Sequence, residues 1–103
     1  MAEILSSEVS VPKRFVKDIE RAVNILKEEG CQEIYLFGSL ATGQSSDSSD
    51  IDLGIKSYPK NQFFKIYGRL MMDLNHKFNL VDFELNHSMF EVLDHVGEVR
   101  RIA

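Results

Sequence analysis

The sequence contains little cysteine and no excess of basic residues, and each shortage removes a class of protein. Its single cysteine, Cys31, leaves no partner for an internal disulfide, which is typical of a reducing cytoplasm. The net charge of −4 argues against binding duplex nucleic acid through a basic face. No stretch approaches the roughly 20 apolar residues that span a bilayer. The N-terminus carries Glu3 and Glu8 where a secretory signal needs bases. We therefore expect a cytoplasmic protein that binds neither duplex nucleic acid nor a membrane.

Hydrophobic periodicity predicts an α/β fold in which helices back a small mixed sheet of three or four strands. The 103 residues are expected to form one domain, 1–103, after a frayed lead-in of about nine residues. The first helix begins near Pro12, ends at Gly30 and buries one stripe: Phe15, Ile19, Ala22, Val23 and Leu26. Strands follow over residues 33–37 and 50–56. A second helix opens at residues 57–60, with a stripe of Phe63, Tyr67, Leu70, Leu74 and Phe78. A third strand covers residues 79–85, and a last helix runs from a capping box at Ser88 to about Arg101.

The most informative segment joins a glycine–serine turn to a pair of acids. Gly38 and Ser39 end the first strand, where a glycine lets backbone N–H groups approach a phosphate and the serine adds a hydroxyl. Asp50 and Asp52 follow on the second strand, and their side chains leave the same face with a rise of about 6.6 Å between them. Such a pair can hold Mg²⁺ or Mn²⁺ beside a polyphosphate, which phosphoryl or nucleotidyl transfer requires.

A third acid would complete the ligands of two metal ions. Asp82 on the third strand is the first candidate, and Glu84 on the same predicted face is the second. Acids on one face of an edge strand often only contact solvent. The interpretation of Asp50 and Asp52 as metal ligands therefore depends on their spacing in the sequence from the Gly38–Ser39 turn. An EF-hand calcium loop is excluded because Leu53 and Tyr58 stand where further acids are needed.

Together these motifs resemble the signature of the DNA polymerase β-type nucleotidyltransferase superfamily, and the short chain is most similar to its minimal nucleotidyltransferase branch. The resemblance implies a palm-like nucleotidyltransferase fold. It also implies two Mg²⁺ or Mn²⁺ ions held by Asp50, Asp52 and Asp82, and an ATP or other NTP held by Gly38 and Ser39. Thr42 departs from the pattern, since the minimal branch usually has arginine there. Lys56 is a candidate for the missing cation.

The resemblance further implies transfer of an NMP to a hydroxyl, on a helical HEPN-type partner protein in a toxin–antitoxin pair. A chain of 103 residues leaves no room for an acceptor-positioning domain, so the acceptor is expected in trans. Small-molecule acceptors such as aminoglycosides and assembly into a homo-oligomer stay open. The alternative is a non-catalytic antitoxin or regulatory subunit that acts by occluding its partner.

Overall fold

A computed structural model describes residues 11–103 of the chain. The predicted lead-in and the N-terminal segment with Glu3 and Glu8 lie outside these residues. In the described part of the chain, no helix combines the length and the apolarity needed to cross a membrane.

Within residues 11–103, four strands and four helices alternate. In order they are α1 (Lys13–Glu28), β1 (Glu33–Phe37), α2 (Ser39–Thr42), β2 (Ile51–Lys56), α3 (Phe63–Asp73), β3 (Phe78–Asp82), α4 (His87–His95) and β4 (Val99–Arg101). They build one mixed sheet of order β3-β2-β1-β4, in which β1 is antiparallel to both of its neighbours and β2 is parallel to β3. The predicted α/β class with a mixed sheet and backing helices is confirmed.

The sheet is covered on both faces. The larger apolar cluster includes Ile34 and Leu36 of β1 and the whole predicted stripe of α1, with Ile66 and Leu70 of α3. The smaller cluster on the opposite face contains Tyr35 and Phe37 of β1, joined by Phe83 and by residues of α4. Alternate residues of β1 therefore enter different clusters, as the two-residue period of a strand requires.

A buried carboxylate joins α1 to the loop before β3. Oδ2 of Asp18 accepts hydrogen bonds of 2.8 Å from the backbone N–H groups of Asn75 and His76, and it lies 2.8 Å from Nδ1 of His76. Burial alone would raise the pKa of Asp18, but the hydrogen bonds from His76 and Asn75 outweigh burial and hold the pKa below its ordinary value. The carboxylate therefore stabilises the fold in its charged form.

Two predicted boundaries in the middle of the chain are wrong. The second predicted helix corresponds to α3, which begins at Phe63 rather than near Pro59. Ser57 and Asn61 adopt φ values of 55° and 63°, outside the helical range. That helix ends at Asp73, so Leu74 follows it and Phe78 begins β3.

The last quarter of the chain also differs from the prediction. β3 ends at Asp82, and the predicted capping box is wrong because α4 begins at His87, with no side-chain cap recorded at Asn86. The last helix does not reach Arg101. It ends at His95, Gly97 takes a φ of 76°, and Val99–Arg101 pair with β1 as an edge strand.

Gly54 allows the Phe83 ring to lie close against β2. A Cβ atom at Gly54 would overlap the Phe83 ring, which is fully buried in the smaller cluster. Gly68 in α3 is the opposite case, since a Cβ there would meet no heavy atom within 4 Å.

We therefore expect opposite effects from the same substitution at these two glycines. Gly54→Ala should lower the free energy of unfolding by about 2–3 kcal/mol through overpacking. Gly68→Ala should raise it by about 0.5–1 kcal/mol, because alanine favours a helix interior. Urea denaturation of both variants measures these changes. An unaltered midpoint for Gly54→Ala would contradict the packing of Phe83.

Asp18→Ala should lower the free energy of unfolding at pH 7 by about 2–3 kcal/mol, since it removes the charged acceptor of the Asn75 and His76 N–H groups. The pKa of Asp18 is lowered by folding, so its contribution is full above the unfolded-state pKa of about 4 and is lost as the pH falls through the folded pKa. Urea denaturation from pH 7 to pH 3 should show the two proteins converging. Asp47→Ala is the matched control, because the Asp47 side chain is 96% exposed and its removal should change little. An equal loss for both variants would refute the role of Asp18.

Candidate functional site

The chain turns sharply at Gly38, where β1 ends and the short helix α2 begins. Gly38 has φ 74° and ψ −152°, a backbone conformation that is essentially restricted to glycine. Its N–H donates to the carbonyl of Glu98 at 3.3 Å, and its own carbonyl accepts from the Ala41 N–H at 3.0 Å. The predicted glycine–serine turn is therefore a fixed backbone bend.

Ser39 connects this bend to the polar loop before β2. The hydroxyl groups of Ser39 and Ser49 lie 3.2 Å apart, and Oγ of Ser49 also accepts from the Ser46 N–H at 2.7 Å. The segment that leads to Asp50 is thereby held beside the bend. We did not anticipate this serine pair from the sequence, which shows only a polar loop here.

Asp52 lies against the bend. It is the register partner of Phe37 in β1, the residue just before Gly38. A Cβ atom at Gly38 would overlap Oδ2 of Asp52, so only a glycine lets the carboxylate approach the backbone this closely. The bend and the carboxylate thus share one small volume at the end of β1.

On its other side, Asp52 meets Asn79. The parallel pairing of β2 with β3 places Asn79 opposite Asp52, and Nδ2 of Asn79 donates to Oδ1 of Asp52 at 2.7 Å. Asn79 was not among the predicted site residues, because only acids were expected as metal ligands. Identifying it requires the register of β3 against β2, which no local pattern of the sequence reveals.

The charge of Asp52 is only partly compensated. Burial raises the pKa of Asp52, the hydrogen bond from Asn79 opposes that effect, and the negative charge of Asp50 raises the pKa again. Asp50 comes one residue before β2 and lines a cavity of about 410 Å³ that Asn79 and Lys77 also border. A cationic side chain therefore stands at the edge of the acidic region.

The predicted third acid, Asp82, does not reach the other two. It pairs with Ile55 rather than Asp52, three residues further along β3, or about 10 Å of strand rise. Its carboxylate accepts hydrogen bonds from the Tyr58 hydroxyl and from the backbone N–H groups of Glu84 and Leu85. Asp82 therefore ends β3 and fixes the following turn, as aspartate commonly does.

Neither the second-choice acid nor the candidate cation belongs to the site. Glu84 follows β3 and accepts from the Ser57 N–H at 3.1 Å. Lys56, the last residue of β2, places its ammonium group 3.5 Å from the centre of the Phe90 ring. Thr42 directs its hydroxyl back to the carbonyl of Ser39 at 3.3 Å. Cys31 is a buried thiol whose pKa burial raises to about 11, an environment typical of a structural cysteine.

The donor set suits one hard divalent ion better than two. Asp50 and Asp52 supply carboxylate oxygens, the ligands that Mg²⁺ prefers when it also binds phosphate. Within residues 11–103, however, no group of three His, Cys, Asp or Glu side chains is arranged to hold a metal ion. A pair of ions that relies on Asp82 does not fit this geometry.

The family of the chain is decided by its sequence match. Residues 20–97, which include every residue of this site, match the family model described as polymerase beta, nucleotidyltransferase. The chain belongs to the polymerase beta nucleotidyltransferase family. The predicted family is therefore confirmed. No curated protein gives a significant match.

Two solved structures share the fold of this nucleotidyltransferase domain. A crystal structure of a toxin–antitoxin with AMP-PNP has a TM-score of 0.62 and 22% identity, covering 82% of this chain and 71% of that chain. A candidate nucleotidyltransferase from Sulfolobus solfataricus has a TM-score of 0.55 and 23% identity, covering 85% of this chain and 78% of that one. At these identities the similarity supports the fold alone, and that fold is the predicted nucleotidyltransferase fold.

The electrostatics of the site lead to a prediction about stability. Asp52→Asn should raise the free energy of unfolding at pH 7, because folding raises the Asp52 pKa and thus disfavours its charged form. The amide keeps an oxygen that can accept the Asn79 hydrogen bond. The gain should appear above the unfolded-state pKa of about 4 and vanish below it, where the carboxyl group is neutral in both states. Urea denaturation at pH 3 and pH 7 tests this, with Asp47→Asn as the exposed control. A variant less stable than wild type at pH 7 would contradict it.

Proposed function

We propose that this domain, residues 1–103, transfers an NMP from ATP or another NTP to a hydroxyl group of a second molecule. The observation that carries the proposal is the contact between Asp52 and the bend at Gly38. It brings a carboxylate beside a backbone that a phosphate can approach, with the Ser39 hydroxyl adjacent. Membership of the polymerase beta nucleotidyltransferase family supports the same reaction.

In this proposal each part of the site has one task. Gly38 and Ser39 hold the triphosphate, while Asp50 and Asp52 hold one Mg²⁺ or Mn²⁺ ion. When bound, that ion supplies positive charge against the triphosphate and the departing pyrophosphate. The acceptor oxygen forms a bond to the α-phosphorus as the bond to the β-phosphate oxygen breaks, pyrophosphate leaves, and the hydroxyl proton passes to solvent. Asp82 has no part in this scheme, because it is engaged at the far end of β3.

We propose a partner protein as the acceptor, with a hydroxyl-bearing side chain as the modified group. The fold shared with a toxin–antitoxin structure solved with AMP-PNP supports a protein partner and an adenine nucleotide. The resemblance to the minimal branch adds a helical HEPN-type toxin as the expected partner, and the chain would then be its antitoxin. A reducing, cytoplasmic setting agrees with the buried free thiol of Cys31.

A second function, binding without transfer, is favoured by two specific residues. Asn79 stands beside Asp52 where a third carboxylate would be needed, and Thr42 stands where the minimal branch usually has arginine. Either change could slow transfer. A domain with both could still silence its partner by covering it.

The two functions differ in whether a covalent adduct forms. The full chain should be used to capture its partner from the native host, and the complex incubated with α-labelled ATP and Mg²⁺. Transfer predicts label on the partner that survives denaturing electrophoresis. Asp52→Asn should reduce that label by about 100-fold or more, since the carboxylate charge that would hold the metal ion is lost. EDTA should have a comparable effect.

Controls separate loss of chemistry from loss of folding. Asp47→Asn removes an exposed charge of the same kind and should label the partner as wild type does. A stable complex that forms without any label would establish occlusion instead. Wild-type labelling by Asp52→Asn would refute the proposed site.

A further inference from the structure

Asn79 of β3 contacts Asp52 directly. The strand register sets the two residues opposite each other, and the side chains join at 2.7 Å. Because paired residues of parallel strands project to the same side, Asn79 shares the face of Asp52, while Asp82 pairs with Ile55 on the other. Position 79 is therefore the place on β3 best suited to supply a third ligand beside Asp52.

The amide of Asn79 is already committed as a donor. The reversed orientation would set its oxygen against Oδ1 of Asp52 at the same short distance, so the carboxylate fixes the amide with nitrogen inward. A neutral side chain that donates here reduces the repulsion between Asp50 and Asp52. It also adds no negative charge to attract a cation, and carboxylate count is a main determinant of divalent-ion affinity.

We propose that Asn79 withholds a second divalent ion from this site and that a carboxylate at position 79 is sufficient to admit it. The inference rests on the proposed function for its first ion, which accompanies the nucleotide at Asp50 and Asp52. Asn79 thereby acts as a positioning residue for Asp52. Its hydrogen bond stabilises the Asp52 carboxylate before any ion binds, and its neutral side chain limits the site to one ion when the nucleotide is bound.

Asn79→Asp is the direct test, because aspartate has the size and shape of asparagine. The variant would bring three carboxylates together, two of them in contact, which is unfavourable until a cation binds between them. Asn24→Asp is the matched control. It adds the same charge at an exposed position of α1.

The first measurement counts ions. Manganese bound per chain is followed by electron paramagnetic resonance during titration with MnCl₂ in the presence of AMP-PNP. We expect about one ion for wild type and Asn24→Asp and about two for Asn79→Asp. Two ions in the wild type, or equal counts in all three proteins, would overturn the inference.

The second measurement needs no nucleotide. Thermal unfolding is recorded in EDTA and in 10 mM MnCl₂. Asn79→Asp should melt below Asn24→Asp in EDTA and gain about 5 °C or more with manganese, whereas the other two proteins should gain less than about 2 °C. Equal shifts would overturn the inference. If AMP-PNP binds none of the proteins while the Asn79→Asp shift appears, the proposed function fails and the role of Asn79 stands.

Discussion

Everything at the candidate site depends on the close approach of the Asp52 carboxylate to the backbone at Gly38. That approach needs a residue without a Cβ atom at the end of β1, in a conformation that other residues rarely adopt. It also needs a neighbour that tolerates a partly buried charge, and the Asn79 amide supplies the hydrogen bond. Gly38 follows β1, Asp52 lies in β2 and Asn79 lies in β3. The pairing of these three strands therefore forms the site without a ligand.

The sequence predicts this fold well wherever one local pattern dominates. The apolar stripe of α1 is buried as expected, and β1 has the predicted bounds. The predicted apolar face of β2, Ile51, Leu53 and Ile55, enters the larger cluster. The errors lie where side-chain hydrogen bonds or residues with positive φ determine the end of a strand or the start of a helix. Asp82 ends β3 by accepting bonds from the next turn, and Ser57 and Asn61 delay α3. The edge strand β4 has three residues, too few for a period to be visible.

Some residues of the site are predictable from local sequence, whereas another depends on contacts between distant segments. Gly38, Ser39, Asp50 and Asp52 stand within fifteen residues of one another, and their spacing alone singles them out. The third position depends on how β3 is registered against β2, which no local pattern of β3 reveals. Asp82 was preferred because it is an acid. The pairing instead brings an amide to Asp52, and this changes the expected ligand set.

The hydrogen bonds of Asp18 connect α1 to the pairing of β3 with β2. They fix the position of the loop that precedes β3, and so they help to determine which residue of β3 lies opposite Asp52. A slip of one residue would exchange an amide for an apolar side chain and invert the face of every β3 residue. A substitution in α1 that removes these bonds is therefore expected to alter the chemistry at Asp52 without changing any residue of the site.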